Sequence, residues 1–409
     1  MLAVAVMPAL ADAVDIFRNG KGMDASSSAL LVIDLSTGEE LASYNARKAL
    51  IPASIMKCVT VATLLDKMDV DDRFKTVFYR TGPVSDGVLE GNIVVVGSGD
   101  PSLNSRYMKD GGDICVEIAE ALTREGVKNI KGRIVVDENI WEGPAVPPTW
   151  VSGDLSQAYG TGSHGLNFED NASGSRSVAN PAGVFDKRLR SALTRYGISV
   201  SGEELREGER EEVMVHHSLP ADEIMRSCMM RSDNQYAEAL LRTYAVHTYG
   251  KGSTAEGAKR EKNYWKRKGA PMDGVEIVDG SGLSRTNRVT PNFMASVLAE
   301  RAENPYYASF FPLAGQEGTL KSFLAGTPLE GYVAMKTGSM RGIQCYAGYK
   351  LDDDYAPTHI IVVMLNNMRS RSAARQAVSR ALLSIFDPNA VVEDTPDVDE
   401  NSEDEVAEE

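Results

Sequence analysis

The chain has 409 residues, 43% of them hydrophobic, enough to bury a large core and to build two or three domains. Its formal net charge is -15, but eleven acidic residues fall between Asp387 and Glu409, where no basic residue occurs, so the rest of the chain is only weakly acidic. No sustained basic face is available to displace the counterions around phosphates, which argues against a nucleic-acid partner.

The N-terminal MLAVAVMPALADA is apolar, offers small residues at Ala9, Ala11 and Ala13, and then turns polar, as an export signal does around its cleavage site, although no basic residue precedes it. Residues 1–13 are therefore expected to be the remnant of a signal peptide, and the mature protein to work in the periplasm. No apolar run approaches the ~20 residues of a membrane span, so no integral membrane segment is expected.

Residues 29–45 run from ALLVIDL through Ser36, Thr37, Gly38 and Glu39 into ELASYN, an alternation around a turn that predicts a hairpin. Pro52 suits a helix entry, and residues 54–68 carry Val61, Leu64, Leu65 and Met68 at the spacing of a buried helical stripe. From 77 to 204 the character changes: short strand-like runs such as GNIVVVGSG and KGRIVVDENI alternate with Gly, Pro, Asp and Ser clusters, which predicts an inserted, β-rich domain. Helical patterns return at 221–248 and 291–302. Between them, Lys259, Arg260, Lys262, Lys266, Arg267 and Lys268 accompany Glu256 and Glu261 on a helix-like stretch and read as a solvated face. Residues 332–336, 344–351 and 359–365 predict strands, and 371–386 a helix. Strands from the two ends can pair into one antiparallel sheet with helices on its faces, an α/β architecture of the α+β kind. The catalytic domain is then discontinuous, 14–76 with 205–386, and the segment from 387 on, holding Pro388 and Pro396 and little apolar material, is expected to be a disordered acidic tail.

Cys58, Cys115, Cys228 and Cys345 have neither the close pairing of a zinc site nor the density of a disulfide scaffold, so they read as buried thiols. His216 and His217 are chain neighbours that point in different directions, a poor arrangement for metal ligands. No metal and no cofactor is expected.

Ser54-Ile55-Met56-Lys57 is the only Ser-x-x-Lys in the chain. On a helix, positions three apart share a face, so the Lys57 amine can reach the Ser54 hydroxyl. A serine hydroxyl is a weak nucleophile until something takes its proton, and lysine can do so only when neutral. At pH 7 that means lowering a reference pKa of ~10.4 by about 3 units, or ~4 kcal/mol. A second cation ~5 Å away contributes about 3 kcal/mol at an effective dielectric of ~20, and partial burial adds the remainder. Lys336-Thr337-Gly338, at the end of an apolar strand pattern, supplies such a cation, and Gly338 permits close approach of a substrate backbone. Ser232-Asp233-Asn234, in a polar break before or inside a helix, supplies a hydroxyl to carry the proton to a leaving amine and an amide to hold Lys57 or a substrate amide. Together they describe an acyl-transfer site without histidine. Each piece is weak alone: Ser102-Leu103-Asn104 and Arg80-Thr81-Gly82 imitate the second and third within the same chain.

This ordered set, with PAS before IMK, GVLEGNIVVVGSGDPSL, HSLPADEIMRSCMMRSDNQYAEALL and DGSGLSRTNRVTP, resembles the class C low-molecular-mass penicillin-binding proteins, the D-Ala-D-Ala carboxypeptidase and endopeptidase family, over nearly the whole length. The resemblance implies a penicillin-binding/serine β-lactamase-like transpeptidase domain with an insertion between the first two motifs, for which the interval from Lys57 to Ser232 is on the short side. It also implies peptidoglycan stem peptides as substrate and acylation by β-lactams. Ser54 would be the acylated serine, Lys57 its base, Ser232 and Asn234 the proton shuttle and its partner, and Lys336 with Thr337 the grip on the terminal carboxylate. The backbone N–H groups of Ser54 and Ser339 would form the oxyanion hole. Asp154 and Tyr159 show the spacing of a pocket for the stem peptide's diamino acid, Arg285 matches an arginine of that pocket, and Met340 would wall it. Two other functions use some of these features. A serine β-lactamase would need a water-activating carboxylate, for which Glu300 and Asn304 show the spacing. A wall-binding or sensor protein would not require the nucleophile.

Overall fold

A computed structural model describes residues 7–206 and 208–387. Residues 1–6 of the expected leader and the acidic tail beyond Asp387 lie outside the described residues, whereas residues 7–13 belong to a helix, Met7–Arg18. The chain divides into two compact units. Among the described residues, one takes 7–66, 225–237 and 255–387; the other takes 67–206, 208–224 and 238–254.

The first unit is built on an antiparallel sheet whose strands come from both ends of the chain, in the order Val333–Met340, Ile343–Leu351, Pro357–Leu365, Ser28–Asp34, Glu40–Tyr44. The hairpin predicted at 29–45 is present, with Leu30 opposite Tyr44. Its first strand pairs with the last strand of the chain, Ser28 opposite Leu365 through Asp34 opposite His359. Alternation sends Leu30, Val32, Val333, Met335, Tyr346, Ile361 and Val363 to one face, where they bury Phe17 of Met7–Arg18 and Val378 and Leu382 of Arg371–Phe386. On the other face the Tyr349 hydroxyl donates to the Leu298 carbonyl of the helix Pro291–Arg301 at 2.7 Å, and the Tyr307 hydroxyl to the Cys58 carbonyl at 2.7 Å. Helix Pro291–Arg301 starts where its sequence dictates, with Thr290 accepting from the Phe293 N–H and proline in the first turn.

The helix expected over 54–68 is different in kind. Ala53–Ile55 form a 3-10 turn, and the α-helix runs only from Met56 to Leu64, with every one of its residues buried. An all-round buried helix carries no amphipathic stripe to read. Its polar members are satisfied internally: Thr60 donates to the Gly280 carbonyl at 2.9 Å and Thr63 to the Val59 carbonyl at 2.7 Å. The pattern at 221–248 resolves into two helices, Ala221–Arg231 and Asn234–Tyr249, and the basic cluster lies on Thr254–Arg267 and just beyond, where Arg260 pairs with Glu256 at 2.7 Å and Lys262 with Glu276 at 2.7 Å.

The second unit is wider than the interval 77–204. Strand Lys75–Arg80 pairs antiparallel with Glu211–His217, so the chain on both sides of that interval is drawn in. Ile93–Val96 and Ile134–Asp137 complete this four-stranded sheet, and the helices Ile114–Arg124 and Pro181–Arg195 cover a core that includes Phe78, Ile93, Val95, Ile118, Phe185 and Leu189. Segment 238–254 joins it through Arg242, which is 2% exposed and donates to the carbonyls of Pro144 at 2.5 Å and Ala145 at 3.2 Å and to the Thr254 hydroxyl at 3.1 Å. His216 is buried against Glu117, 2.8 Å from Nδ1, while its neighbour His217 is exposed, as alternation on a strand requires.

In the first unit one turn positions the buried end of the Met56–Leu64 helix. The Asp279 carboxylate, fully buried, accepts from the Gly282 N–H at 2.9 Å, the Ser284 N–H at 2.7 Å and the Asn287 amide at 2.7 Å. Gly282 has φ +80, and a Cβ there would strike the Ala53 carbonyl. Gly282→Ala is expected to cost at least about 2 kcal/mol, from the left-handed backbone and the overlap together. Thermal unfolding checks this; an unchanged midpoint would show that the turn is not in contact with the segment ahead of Ser54.

Candidate active site

The three motifs converge within the first unit. Lys57, fully buried, points its ammonium at three oxygens: Ser54 Oγ at 3.0 Å, Asn234 Oδ1 at 2.6 Å and the Ser281 carbonyl at 2.9 Å. Ser54, half-buried, sits in the 3-10 turn rather than in the α-helix, preceded by Ala53 in left-handed backbone at φ 49. Left-handed alanine costs roughly 1–2 kcal/mol and is kept only where the surroundings enforce it. Ser232 is the second such residue, at φ 59, in the break between two helices, and Asn234 opens the second of them. The Asp233 carboxylate accepts from the Tyr236 N–H at 3.1 Å, so the middle residue of this motif caps a helix, while Asn234 reaches Lys57.

Lys336-Thr337-Gly338 lies inside the strand Val333–Met340, not at its end as the apolar pattern suggested, because Gly338 to Met340 continue the pairing, Gly338 with Cys345 and Ser339 with Gln344. This strand is the edge of its sheet. The first half of the edge is covered: Ala314 N–H donates to the Val333 carbonyl at 2.8 Å and Met335 N–H to the Pro312 carbonyl at 3.2 Å. Since Met335 N–H points outward, the period of two turns the N–H groups of Thr337 and Ser339 outward as well, along the half that follows. Gly338 packs on the nucleophile turn; a Cβ there would lie 2.6 Å from the Pro52 carbonyl and 3.0 Å from the Ser54 N–H nitrogen. Asn366 brackets the approach to that turn, accepting from the Ile51 N–H at 2.9 Å and donating to its carbonyl at 3.1 Å.

Lys336 is fully buried and donates to the Thr337 carbonyl at 2.8 Å. Burial first, and the charge of Lys57 second, push its pKa down to about 7. Burial and the neighbouring charge thus act on Lys336, while Lys57 has three oxygen acceptors. Two such coupled amines share their titration, and Lys336 loses its proton near neutrality. Cys58 and Cys228 lie close enough to influence Lys336, yet burial pushes Cys58 up to about 12, so that thiol stays protonated.

Other expected site residues are spread. Asp154 and Tyr159 belong to the second unit, where the Tyr159 hydroxyl donates to Asp154 Oδ1 at 3.1 Å and the ring is 43% exposed. Arg285 is exposed in the first unit, with its carbonyl taken by the Arg288 guanidinium at 2.7 Å. Ser339 is exposed and donates to Gln344 Oε1 at 3.3 Å, and Met340 ends the strand, half-buried. Two contributions escape sequence reasoning. Ser281 acts through its backbone carbonyl, and Thr319 accepts a hydrogen bond from the Thr337 hydroxyl at 2.7 Å. The DGSG turn was the available signal for Ser281; nothing marked Thr319.

The lysine pair makes a stability prediction. An unfolded Lys336 holds its proton up to about 10.5, the folded one only up to about 7, so between these values the unfolded chain binds more protons and stability rises with pH. Below pH 7 the full penalty applies. Lys336→Met should therefore stabilise the protein at pH 6 by on the order of a few kcal/mol, with the gain shrinking toward pH 10. Unfolding midpoints at pH 6 and 9.5 check this; a variant less stable than the parent at pH 6 contradicts it.

The family model for D-Ala-D-Ala carboxypeptidase 3 (S13) matches residues 10–174 and 169–385. The D-alanyl-D-alanine carboxypeptidase of Actinomadura sp. (strain R39) is 26% identical, over 85% of this chain and 82% of that protein. The D-alanyl-D-alanine carboxypeptidase DacB of Haemophilus influenzae is 24% identical, over 80% of this chain and 82% of that protein. The crystal structure of penicillin binding protein 4 (dacB) from H. influenzae superposes with a TM-score of 0.79 at 21% identity, covering 92% of this chain and 99% of that one. A penicillin G acylated predatory endopeptidase from Bdellovibrio bacteriovorus gives a TM-score of 0.57 at 18% identity, covering 90% and 95%. With its family model matched along nearly all of the described chain and its three motifs meeting around one buried lysine, the protein belongs to the D-Ala-D-Ala carboxypeptidase (S13) family of serine peptidases.

Proposed function

We propose that this chain is a serine-type D-Ala-D-Ala carboxypeptidase, a DD-endopeptidase or both, that acts on peptidoglycan stem peptides outside the cytoplasmic membrane and is acylated by β-lactams at Ser54. The observation that carries this reading is the Lys57 amine, 3.0 Å from Ser54 Oγ and fixed from behind by Asn234 and Ser281. With Lys57 neutral, Ser54 Oγ attacks the carbonyl carbon of the penultimate D-alanine as its proton passes to Nζ. The carbonyl π pair moves to oxygen, where the outward N–H of Ser339 and that of Ser54 receive the developing charge. Collapse breaks the C–N bond, and the Lys57 proton reaches the leaving amine through the Ser232 hydroxyl. Water then cleaves the ester and restores Ser54. Lys336 and Thr337 bind the substrate carboxylate, which also supports the charged form of the second lysine. Asp154 and Tyr159 of the second unit, already hydrogen-bonded to each other, are proposed contacts for the diamino acid, and Arg285 and Met340 of the first unit are proposed substrate contacts.

The site of action follows from the substrate, since peptidoglycan lies beyond the cytoplasmic membrane; none of the described helices is long and apolar enough to cross one. A β-lactamase reading finds little support: Glu300 is exposed and paired with Lys268 at 2.6 Å, and Asn304 accepts from the N–H groups of Tyr306 and Tyr307. A wall-binding or sensor role leaves the Ser54–Lys57 contact without a purpose.

Incubation with a reporter penicillin should add one acyl group to the protein, mapped to the peptide carrying Ser54 and persisting for many minutes. Ser54→Ala should abolish it together with release of D-alanine from a pentapeptide and cleavage of a cross-linked dimer. An adduct that survives in the variant sinks the assignment, release within seconds favours a lactamase, and stem-peptide binding without D-alanine release favours the sensor.

A further inference from the structure

The turn Gly318–Leu320 touches the site from a side that none of the three motifs occupies. Gly318 has φ +55, and a Cβ there would lie 2.9 Å from the Pro312 ring and 3.1 Å from the Met230 carbonyl, which closes the helix just ahead of Ser232. One residue before it, Glu317 pairs with Arg226 of the same helix at 3.4 Å. Segment 312–314 lies against the covered half of the edge strand. The turn is thus anchored to the elements that carry the second and third motifs, and it ends that covering where Lys336-Thr337-Gly338 begins. At its centre Thr319 is exposed to solvent, and its Oγ1 is the acceptor for the hydroxyl of Thr337, which is only 9% exposed.

A hydroxyl has one proton to give and two lone pairs. In the unliganded site the Thr337 proton is committed to Thr319. To hold a carboxylate, Thr337 must give that proton to the substrate instead, since an ionised carboxylate only accepts. We propose that Thr319 is a positioning residue for carboxylate recognition: when substrate arrives, the Thr319 hydroxyl rotates and becomes the donor to Thr337, whose own proton turns to the substrate carboxylate. The exchange keeps both hydroxyls paired, needs rotation about two C–O bonds only, and polarises the Thr337 donor because it then accepts as it donates. A valine at 319 keeps the shape and removes the exchange, so Thr337 binds as a hydroxyl with no partner behind it. Thr319 forms no bond to the reacting carbonyl, so its effect falls on binding rather than on turnover.

The inference rests on Thr337 as the carboxylate contact, and the test separates the two. Steady-state kinetics are measured for the parent, Thr319→Val, Thr319→Ser and Thr337→Val on a pentapeptide ending in a free D-Ala-D-Ala carboxylate and on its C-terminal methyl ester. Thr319→Val should raise KM for the free acid about tenfold with kcat within about twofold, the size of one lost charge-assisted hydrogen bond. Thr319→Ser should restore the parent value, the ester should show no difference between parent and Thr319→Val, and Thr319→Val should add nothing in a Thr337→Val background. An equal loss on acid and ester, or no loss on the acid, overturns the role of Thr319 while leaving Thr337 intact. If Thr337→Val itself fails to distinguish acid from ester, the carboxylate reading falls and the relay with it.

Discussion

Two lysine side chains buried beside one serine are the constraint around which the rest of the site is arranged. Lys57 and Lys336 are both fully buried, and each ammonium penalises the other. In bulk water such a pair would cost little; out of water the penalty is large unless one member is neutral. The protein resolves the conflict unevenly. It surrounds Lys57 with a hydroxyl, an amide oxygen and a backbone carbonyl and gives Lys336 the Thr337 carbonyl, so one proton is held loosely near pH 7. The proton held loosely is that of Lys336, and burying both amines makes the site costly to fold.

Holding that pair requires backbone that an unstrained chain would not adopt. Ala53 and Ser232 sit at positive φ immediately beside the nucleophile turn and the Asn234 amide, and Gly282 and Gly338 permit contacts that a Cβ would forbid. The cost is carried by ordinary interactions: a sheet closed by the first and last strands of the chain, a core of alternating aliphatic residues on one face, and the buried Asp279 carboxylate with three donors under the DGSG turn. The edge strand contributes differently. Its covering stops at Met335, so the outward N–H groups of Thr337 and Ser339 follow directly on a bonded one, in line for an extended substrate.

The sequence alone revealed the parts whose signals are side chains at fixed spacing. Ser54, Lys57 and Asn234 meet within hydrogen-bond distance, and the terminal strands, whose alternation is strong, pair as their pattern suggests. What it could not reveal falls into two kinds. Ser281 contributes a backbone carbonyl, which leaves no trace in residue identity, and Thr319 contributes a hydroxyl in a turn where threonine is unremarkable. The helix expected after Ser54 is present but shorter, Met56–Leu64, and its burial on every side leaves no one-sided periodicity to mark its ends. The pairing of Lys75–Arg80 with Glu211–His217, which draws both flanks of the interval 77–204 into the second unit, is a long-range event that no local composition shift marks.

The central claim, a lysine pair that shares its protons near neutrality, is tested most directly by NMR titration of the intact protein carrying lysine labelled with carbon-13 at Cε, assigned with Lys57→Met and Lys336→Met. One resonance of the pair should titrate near pH 7, and it should move upward when the other lysine is replaced. If both lysines titrate above pH 10, each indifferent to the loss of the other, neither is a base for Ser54 and the account is wrong.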